Sequence, residues 1–253
     1  MSNPNIVIER AKGCYILYGS SLNEVIHPAR GTELPIKKLF DPVFLKAQQL
    51  VNKIARGRGE AVFFNIDETS FVLRHYHRGG LVAKVASDRY LWLGLKNTRA
   101  YRELAILLEL SKNNLPAPKP FAIRVVHSGY FYRADIITYA LADTETLSQR
   151  LQDSAIKHTI WQKMGETISR FHQKGVYHAD LNAHNILLNR NNDVFIIDFD
   201  KARFRNPKNS TWRNHNLHRL HRSLNKLNSG SSQFHFNEND WAHLKQSYDQ
   251  ALQ

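Results

Sequence analysis

His178-Ala179-Asp180-Leu181-Asn182-Ala183-His184-Asn185-Ile186-Leu187-Leu188, followed by Ile196-Ile197-Asp198-Phe199-Asp200, is the stretch on which the fold turns. In a loop of pattern H-x-D-x-x-x-x-N that performs phosphoryl transfer, the Asp accepts the proton of the attacking hydroxyl and the Asn holds a magnesium ion. Asp180 and Asn185 stand at those positions. A second acid must chelate metal beside the nucleotide phosphates, so it is expected at the end of a buried strand that fixes it. Val194-Phe195-Ile196-Ile197 is such an apolar run and ends at Asp198. Magnesium keeps several waters and shares phosphate oxygens, so one amide and one carboxylate suffice. Asp and Asn also populate ordinary turns. The two motifs in this order, each against strand-like apolar residues, point instead to an ATP-dependent kinase, with Asp180 as base and Asn185 and Asp198 as metal ligands.

Working outward, Trp161, Met164, Ile168 and Phe171 recur at three and four residues and predict a core helix just before the loop. Toward the N-terminus, Gly13 to Gly19 and Phe71 to Tyr76 read as strands, and Ala61 to Phe64 as another, with a turn at Asp67-Glu68-Thr69. Pro42 to Ala55 reads as a helix with Asp41 as N-cap and Pro42 at its first position. Gly57-Arg58-Gly59 would let backbone amides approach phosphates through Gly57 and Gly59, although Val62 stands where a third glycine would complete G-x-G-x-x-G. A kinase also needs a cation on the nucleotide phosphates held by a helix glutamate; Thr98 to Leu110 supplies a helix carrying Glu103. Two cations compete for that glutamate: Arg74, central in its strand, and Lys84, within Leu81-Val82-Ala83-Lys84. Ala134 to Leu141 follows as a buried strand leading to a hinge. The expected organisation is α+β and two-lobed, protein-kinase-like, with a β-rich N-lobe over 1–138, including the 98–110 helix, and a mainly helical C-lobe over 139–253.

The 253 residues suffice for two modest cores. Thirty-five Lys and Arg against twenty-two Asp and Glu give a formal charge of +13, which favours an anionic partner: nucleic acid, a phospholipid surface, or a phosphorylated or carboxylated small molecule. Aromatic residues and arginines do not interleave in a stacking motif, so no nucleic acid is expected. Cys14 is the only cysteine, which excludes an internal disulfide and suits a reducing cytosol. The opening Met-Ser-Asn-Pro-Asn does not read as a signal peptide, and no apolar stretch is long enough for a transmembrane segment, so any membrane association is expected to be peripheral.

Leu217, Leu220, Leu224 and Leu227 form a helical apolar stripe, with Arg213, Arg219, Arg222 and Lys226 elsewhere on its surface. That basic side could face anionic lipid or substrate, or simply solvent. His75 and His77, beside Arg74 and Arg78, form a patch that could grip an anion or could be an exposed hairpin end.

Leu73-Arg74-His75-Tyr76-His77-Arg78-Gly79-Gly80-Leu81, Thr98 to Glu103, His178 to Leu187, Ile197-Asp198-Phe199-Asp200 and Asn216 to Leu224 together resemble the 3-deoxy-D-manno-octulosonic acid (Kdo) kinases of Gram-negative bacteria. The resemblance implies a protein-kinase-like fold and transfer of the ATP γ-phosphoryl group to the 4-hydroxyl of Kdo on a lipid A precursor. The site would lie at the cytoplasmic face of the inner membrane, against its anionic surface. It also implies Asp180 as base, Asn185 and Asp198 as Mg2+ ligands, and Glu103 orienting Arg74 against ATP. Another small-molecule or protein kinase is the alternative. Ala179 replaces the loop arginine that answers a phosphorylated activation loop, so such control is not expected. Asp200 stands where glycine usually follows Asp-Phe; aspartate tolerates left-handed backbone, and the expectation is a metal site held ready.

Overall fold

The computed structural model describes residues 6–19, 34–56, 60–77, 88–231 and 233–253, and the chain divides into two compact units. The first comprises Met1–Leu108 with Lys119–Ala140, the second Glu109–Pro118 with Leu141–Gln253.

The first unit is an antiparallel sheet. The hairpin β1 (Ile6–Ala11) and β2 (Cys14–Gly19) is followed by a short helix α1 (Pro42–Ala47) and then β3 (Val51–Arg56), β4 (Glu60–Ile66) and β5 (Thr69–His75). After β6 (Tyr90–Leu91) and helix α2 (Arg99–Lys112) come β7 (Pro120–Ser128) and β8 (Phe131–Tyr139). The strand order is β1-β2-β7-β8-β5-β4-β3, with β6 also pairing β8. Strand alternation sends Phe64, Phe71 and Phe121 to one face, where the Phe71 ring lies 5.4 Å from Phe64 and 4.6 Å from Phe121. Leu39, Phe40 and Leu45 close this core.

One expected element is shorter than its sequence suggests. Asp41 caps α1 by accepting from the Val43 N–H at 2.9 Å, with Pro42 in the first turn, as expected. The helix nevertheless stops at Ala47 rather than Ala55, because Gln49 turns left-handed (φ +56) and Val51–Arg56 pairs with β4. Tertiary pairing overrides a local helical pattern here.

The second unit carries β9 (Glu145–Thr146), α3 (Leu147–Asp153), α4 (His158–Gln173), β10 (Val176–Tyr177), β11 (Ile186–Leu188), β12 (Val194–Ile196), β13 (Arg203–Phe204), α5 (Ser210–Gly230) and α6 (Glu238–Leu252). Thr146 and Gln149 form a reciprocal cap on α3. Trp161, Met164, Ile168 and Phe171 are all buried in α4, as their spacing predicts. α4 packs on α6 at Gly165, where a Cβ would lie 2.2 Å from the Leu244 carbonyl oxygen and 2.8 Å from the Tyr248 nitrogen. Both are backbone atoms, so only helix displacement could relieve the clash. Gly165→Ala is therefore expected to destabilise the fold by about 1–3 kcal/mol and lower the melting temperature by roughly 2–12 °C; calorimetry checks this, and an unchanged transition would refute the close approach.

Candidate active site

The expected catalytic residues sit on a loop and short ladder of the second unit. His178 follows β10, Asn185 precedes β11, and Asp198 lies just beyond β12, which pairs antiparallel with β11. Three hydrogen bonds join these positions. The Asn185 side-chain amide donates to the Asp180 carbonyl at 2.8 Å, the Ile197 N–H donates to the Asn185 carbonyl at 3.0 Å, and His178 Nε2 meets the Ile197 carbonyl at 2.9 Å. Since Asn185 Nδ2 is committed, the amide's oxygen faces the other way, and no described group donates to it. The structure thus brings Asp180, Asn185 and the residue preceding Asp198 into one bonded frame.

His178 is buried and its imidazole is held below the usual histidine range, chiefly by burial. Its ring is accordingly neutral. Nδ1 accepts from the Asp180 N–H at 3.2 Å, so Nε2 carries the proton and donates to Ile197. One ring thereby ties the backbone of the expected base to the backbone beside the expected metal acid. Phe199, fully buried, anchors the other side of Asp198: its ring lies 5.0 Å from His178 and 5.8 Å from Phe171.

Asp198 itself adopts φ +68. The left-handed backbone that aspartate tolerates is adopted by this acid and not by Asp200. A non-glycine residue held there costs about 1–3 kcal/mol and persists only where its surroundings over-determine it; Phe199 and the Ile197 bonds do so.

Three residues of α5, of which the spacing had assigned only Arg219, to a basic face, grip this loop. Asn216 Oδ1 accepts from the His178 N–H at 3.1 Å while Asn216 Nδ2 donates to the His178 carbonyl at 2.7 Å. Arg219 donates through Nε (3.1 Å) and Nη2 (2.6 Å) to Asp180 Oδ1, and Ser223 Oγ accepts from the Ala183 N–H at 3.3 Å. Asn216, Arg219 and Ser223 recur at three and four residues, so they form one helical stripe. That periodicity was available in the sequence, but its polar members were not distinguishable from solvated ones. Leu217, Leu220 and Leu224 are buried, so α5 does not offer an apolar face to lipid.

Behind Asn216 the polar chain continues into the core. Tyr248 OH meets His172 Nδ1 at 2.8 Å and His172 Nε2 meets Asn216 Oδ1 at 3.3 Å. Burial depresses His172 to about 3 and raises Tyr248 to about 12, so the phenol donates and the imidazole is neutral.

In the first unit, buried Glu103 of α2 receives Arg74 Nη2 at 2.5 Å and Tyr76 OH at 2.5 Å. Arg74 and Tyr76 are two residues apart, on one face of their strand. Burial first, then the Glu103 carboxylate, pushes the Tyr76 phenol well above its usual range, so it remains a donor. Of the two candidate cations, Arg74 is the one bonded to Glu103 among the described residues; Lys84, Gly57 and Gly59 lie outside them. His75 does not wait for an anion: Asp135 accepts from it at 2.7 Å and from Arg124 Nε at 2.8 Å, and this bond raises the imidazole's pKa.

A model of the lipopolysaccharide kinase (Kdo/WaaP) family matches residues 43–248. The chain is similar to a 3-deoxy-D-manno-octulosonic acid kinase of Vibrio parahaemolyticus serotype O3:K6, 37% identical over 215 residues, covering 85% of this chain and 89% of that protein. It is also similar to the protein of the same name from Xanthomonas axonopodis pv. citri, 41% identical over 197 residues and covering 78% of each chain. With that of Vibrio vulnificus strain YJ016 it shares 34% identity over 228 residues, 90% of this chain and 95% of the relative.

Proposed function

The chain belongs to the lipopolysaccharide kinase (Kdo/WaaP) family, and we propose that it transfers the γ-phosphoryl group of ATP to the 4-hydroxyl of Kdo carried on a lipid A precursor. The observation that carries this reading is the bonded frame uniting Asp180, Asn185 and the backbone beside Asp198. In the reaction, the acceptor oxygen bonds the γ-phosphorus as the bond to the β,γ-bridging oxygen breaks. The hydroxyl proton passes to the Asp180 carboxylate, and ADP and the phosphorylated sugar leave. Arg219 restrains that carboxylate through two donors on one oxygen, which limits its rotamers before the acceptor arrives.

Asn185 and Asp198 form an all-oxygen donor pair suited to a hard cation, with the Asn185 oxygen turned away from its committed amide nitrogen. Mg2+ held there would neutralise phosphate charge. Arg74, oriented by Glu103 and Tyr76, is the cation assigned to the nucleotide phosphates; its planar fork suits paired phosphate oxygens. The charge of +13 and the acceptor's lipid anchor support a peripheral location on the anionic cytoplasmic face of the inner membrane. Among the described residues, no helix is long and apolar enough to cross a membrane.

Radiolabelled ATP supplied with a Kdo-bearing lipid A precursor, free Kdo and casein tests the reading. Label is expected on the Kdo-bearing acceptor and to depend on Mg2+. Label on casein alone would assign the chain to protein phosphorylation instead.

A further inference from the structure

Large apolar side chains stand in solvent together at one edge of the first unit. Tyr130 is 81% exposed, Leu93 66%, Leu91 55% and Phe131 45%. They are neighbours in space, because Leu91 pairs with Phe131 and the Trp92 N–H donates to the Tyr130 carbonyl at 2.9 Å. Such a cluster is rarely left uncovered without a role, whereas an isolated residue such as Val43 needs none.

Beneath the tip the structure is stiff. The Trp92 ring stacks with His127, at 4.3 Å, and with Tyr15, at 5.7 Å, and the Arg10 guanidinium lies 5.5 Å from the Tyr15 ring centre. The apolar residues are thus presented by packed aromatics and cannot readily fold inward.

Charge decides the occupant. Strand alternation puts exposed Arg133, ion-paired with Asp88 at 2.6 Å, on the face of Phe131, and exposed Arg89 stands two residues before Leu91. Arg10 and Lys12 of the adjacent hairpin are exposed as well. Aromatic and aliphatic side chains at a tip, with cations one step behind, match the layering of a bilayer whose headgroups are anionic. The basic helix α5 lacks this pairing, since its leucines are buried.

The register also sets where the edge lies in the sheet. Cys14 faces Val126, His75 faces Asp135, Ala61 faces Arg74 and Arg56 faces Glu60. The Tyr130 tip, the end of β5 carrying Arg74, and the ends of β3 and β4 therefore share one edge. We propose that the β7–β8 tip and the adjoining β6 segment, with Leu91, Leu93, Tyr130 and Phe131 as anchors, form the surface by which the protein rests on an anionic lipid bilayer, leaving Arg74 to the nucleotide. The assignment builds on the membrane location proposed above.

The test uses the full chain, sedimented with vesicles of phosphatidylglycerol and phosphatidylethanolamine or of phosphatidylcholine alone. The wild type is expected to pellet with the anionic vesicles and to be released by salt. Leu91→Ser/Tyr130→Ser/Phe131→Ser should weaken that binding by more than about tenfold, Arg89→Glu should weaken it less, and Val43→Ser should leave it unchanged. The triple variant should slow phosphorylation of a vesicle-embedded acceptor while keeping the wild-type rate on a deacylated, soluble one. Equal pelleting of wild type and triple variant would overturn the surface, as would a loss of rate on both acceptors. Self-association of the wild type, abolished in the variant, would assign the patch to a second copy of the chain and overturn it too. A wild type that phosphorylates the soluble acceptor yet ignores all vesicles would refute this surface while leaving the kinase reading intact.

Discussion

Asp180→Asn is expected to slow phosphoryl transfer by about 10²–10⁴-fold while its melting temperature stays within about 2 °C of the wild type. The two halves of that expectation have separate causes. The amide keeps an oxygen that can accept from Arg219 but cannot take the hydroxyl proton, so the restraint survives and the base is lost. Stability should hardly notice, because the pair is a partly exposed one, with side chains 33% and 39% accessible, and solvent screens such pairs to about 0–1 kcal/mol. The backbone of the loop is held independently, through Asn185 on the Asp180 carbonyl and His178 on the Asp180 N–H. Initial rates and calorimetry on the same preparation check both. Turnover near the wild-type rate would remove Asp180 from the chemistry, and a large loss of stability would mean the carboxylate is structural.

What was legible in the sequence was whatever a local pattern encodes. The loop from His178 to Asn185, the apolar run before Asp198 and the α4 stripe all carry their geometry in short-range spacing, and the structure forms each where expected. The glutamate of α2 was legible for the same reason, since a helical pattern sets Glu103 among apolar neighbours. Its cation was not legible from spacing, which left Arg74 and Lys84 both in strand-like contexts; only the family resemblance pointed to Arg74, the residue that bonds Glu103. The helix expected over 42–55 failed similarly: Val51–Arg56 is helical by local composition, yet a partner strand is available to it. Asn216, Arg219 and Ser223 lie far from the catalytic loop in sequence, and the polar contents of a helix face do not announce what that face meets. A family-specific block around those residues was the available signal, but its physical meaning required the fold.

That grip also predicts a variant opposite in character to Asp180→Asn. Asn216→Leu conserves volume in a fully buried position but leaves the His178 N–H and carbonyl without the partners that Asn216 supplies. Each unsatisfied buried group costs about 1–3 kcal/mol, so a loss of roughly 2–5 kcal/mol and a melting temperature lowered by about 5–15 °C are expected. The damage does not stop at stability. His178 is the ring that joins the Asp180 and Ile197 backbones, so releasing its main chain loosens the spacing between the base and the acid at φ +68. Activity measured well below the new transition should therefore fall as well, by about tenfold for a misplacement of a fraction of an ångström. Asn216→Asp retains the acceptor for the His178 N–H but replaces the donor to its carbonyl, and should land between Leu and the wild type in both measures. If Asn216→Leu melted with the wild type, the hydrogen bonds from α5 would not be what holds the catalytic loop. If it melted early but turned over normally, the loop would be ordered without them, and α5 would act on stability alone.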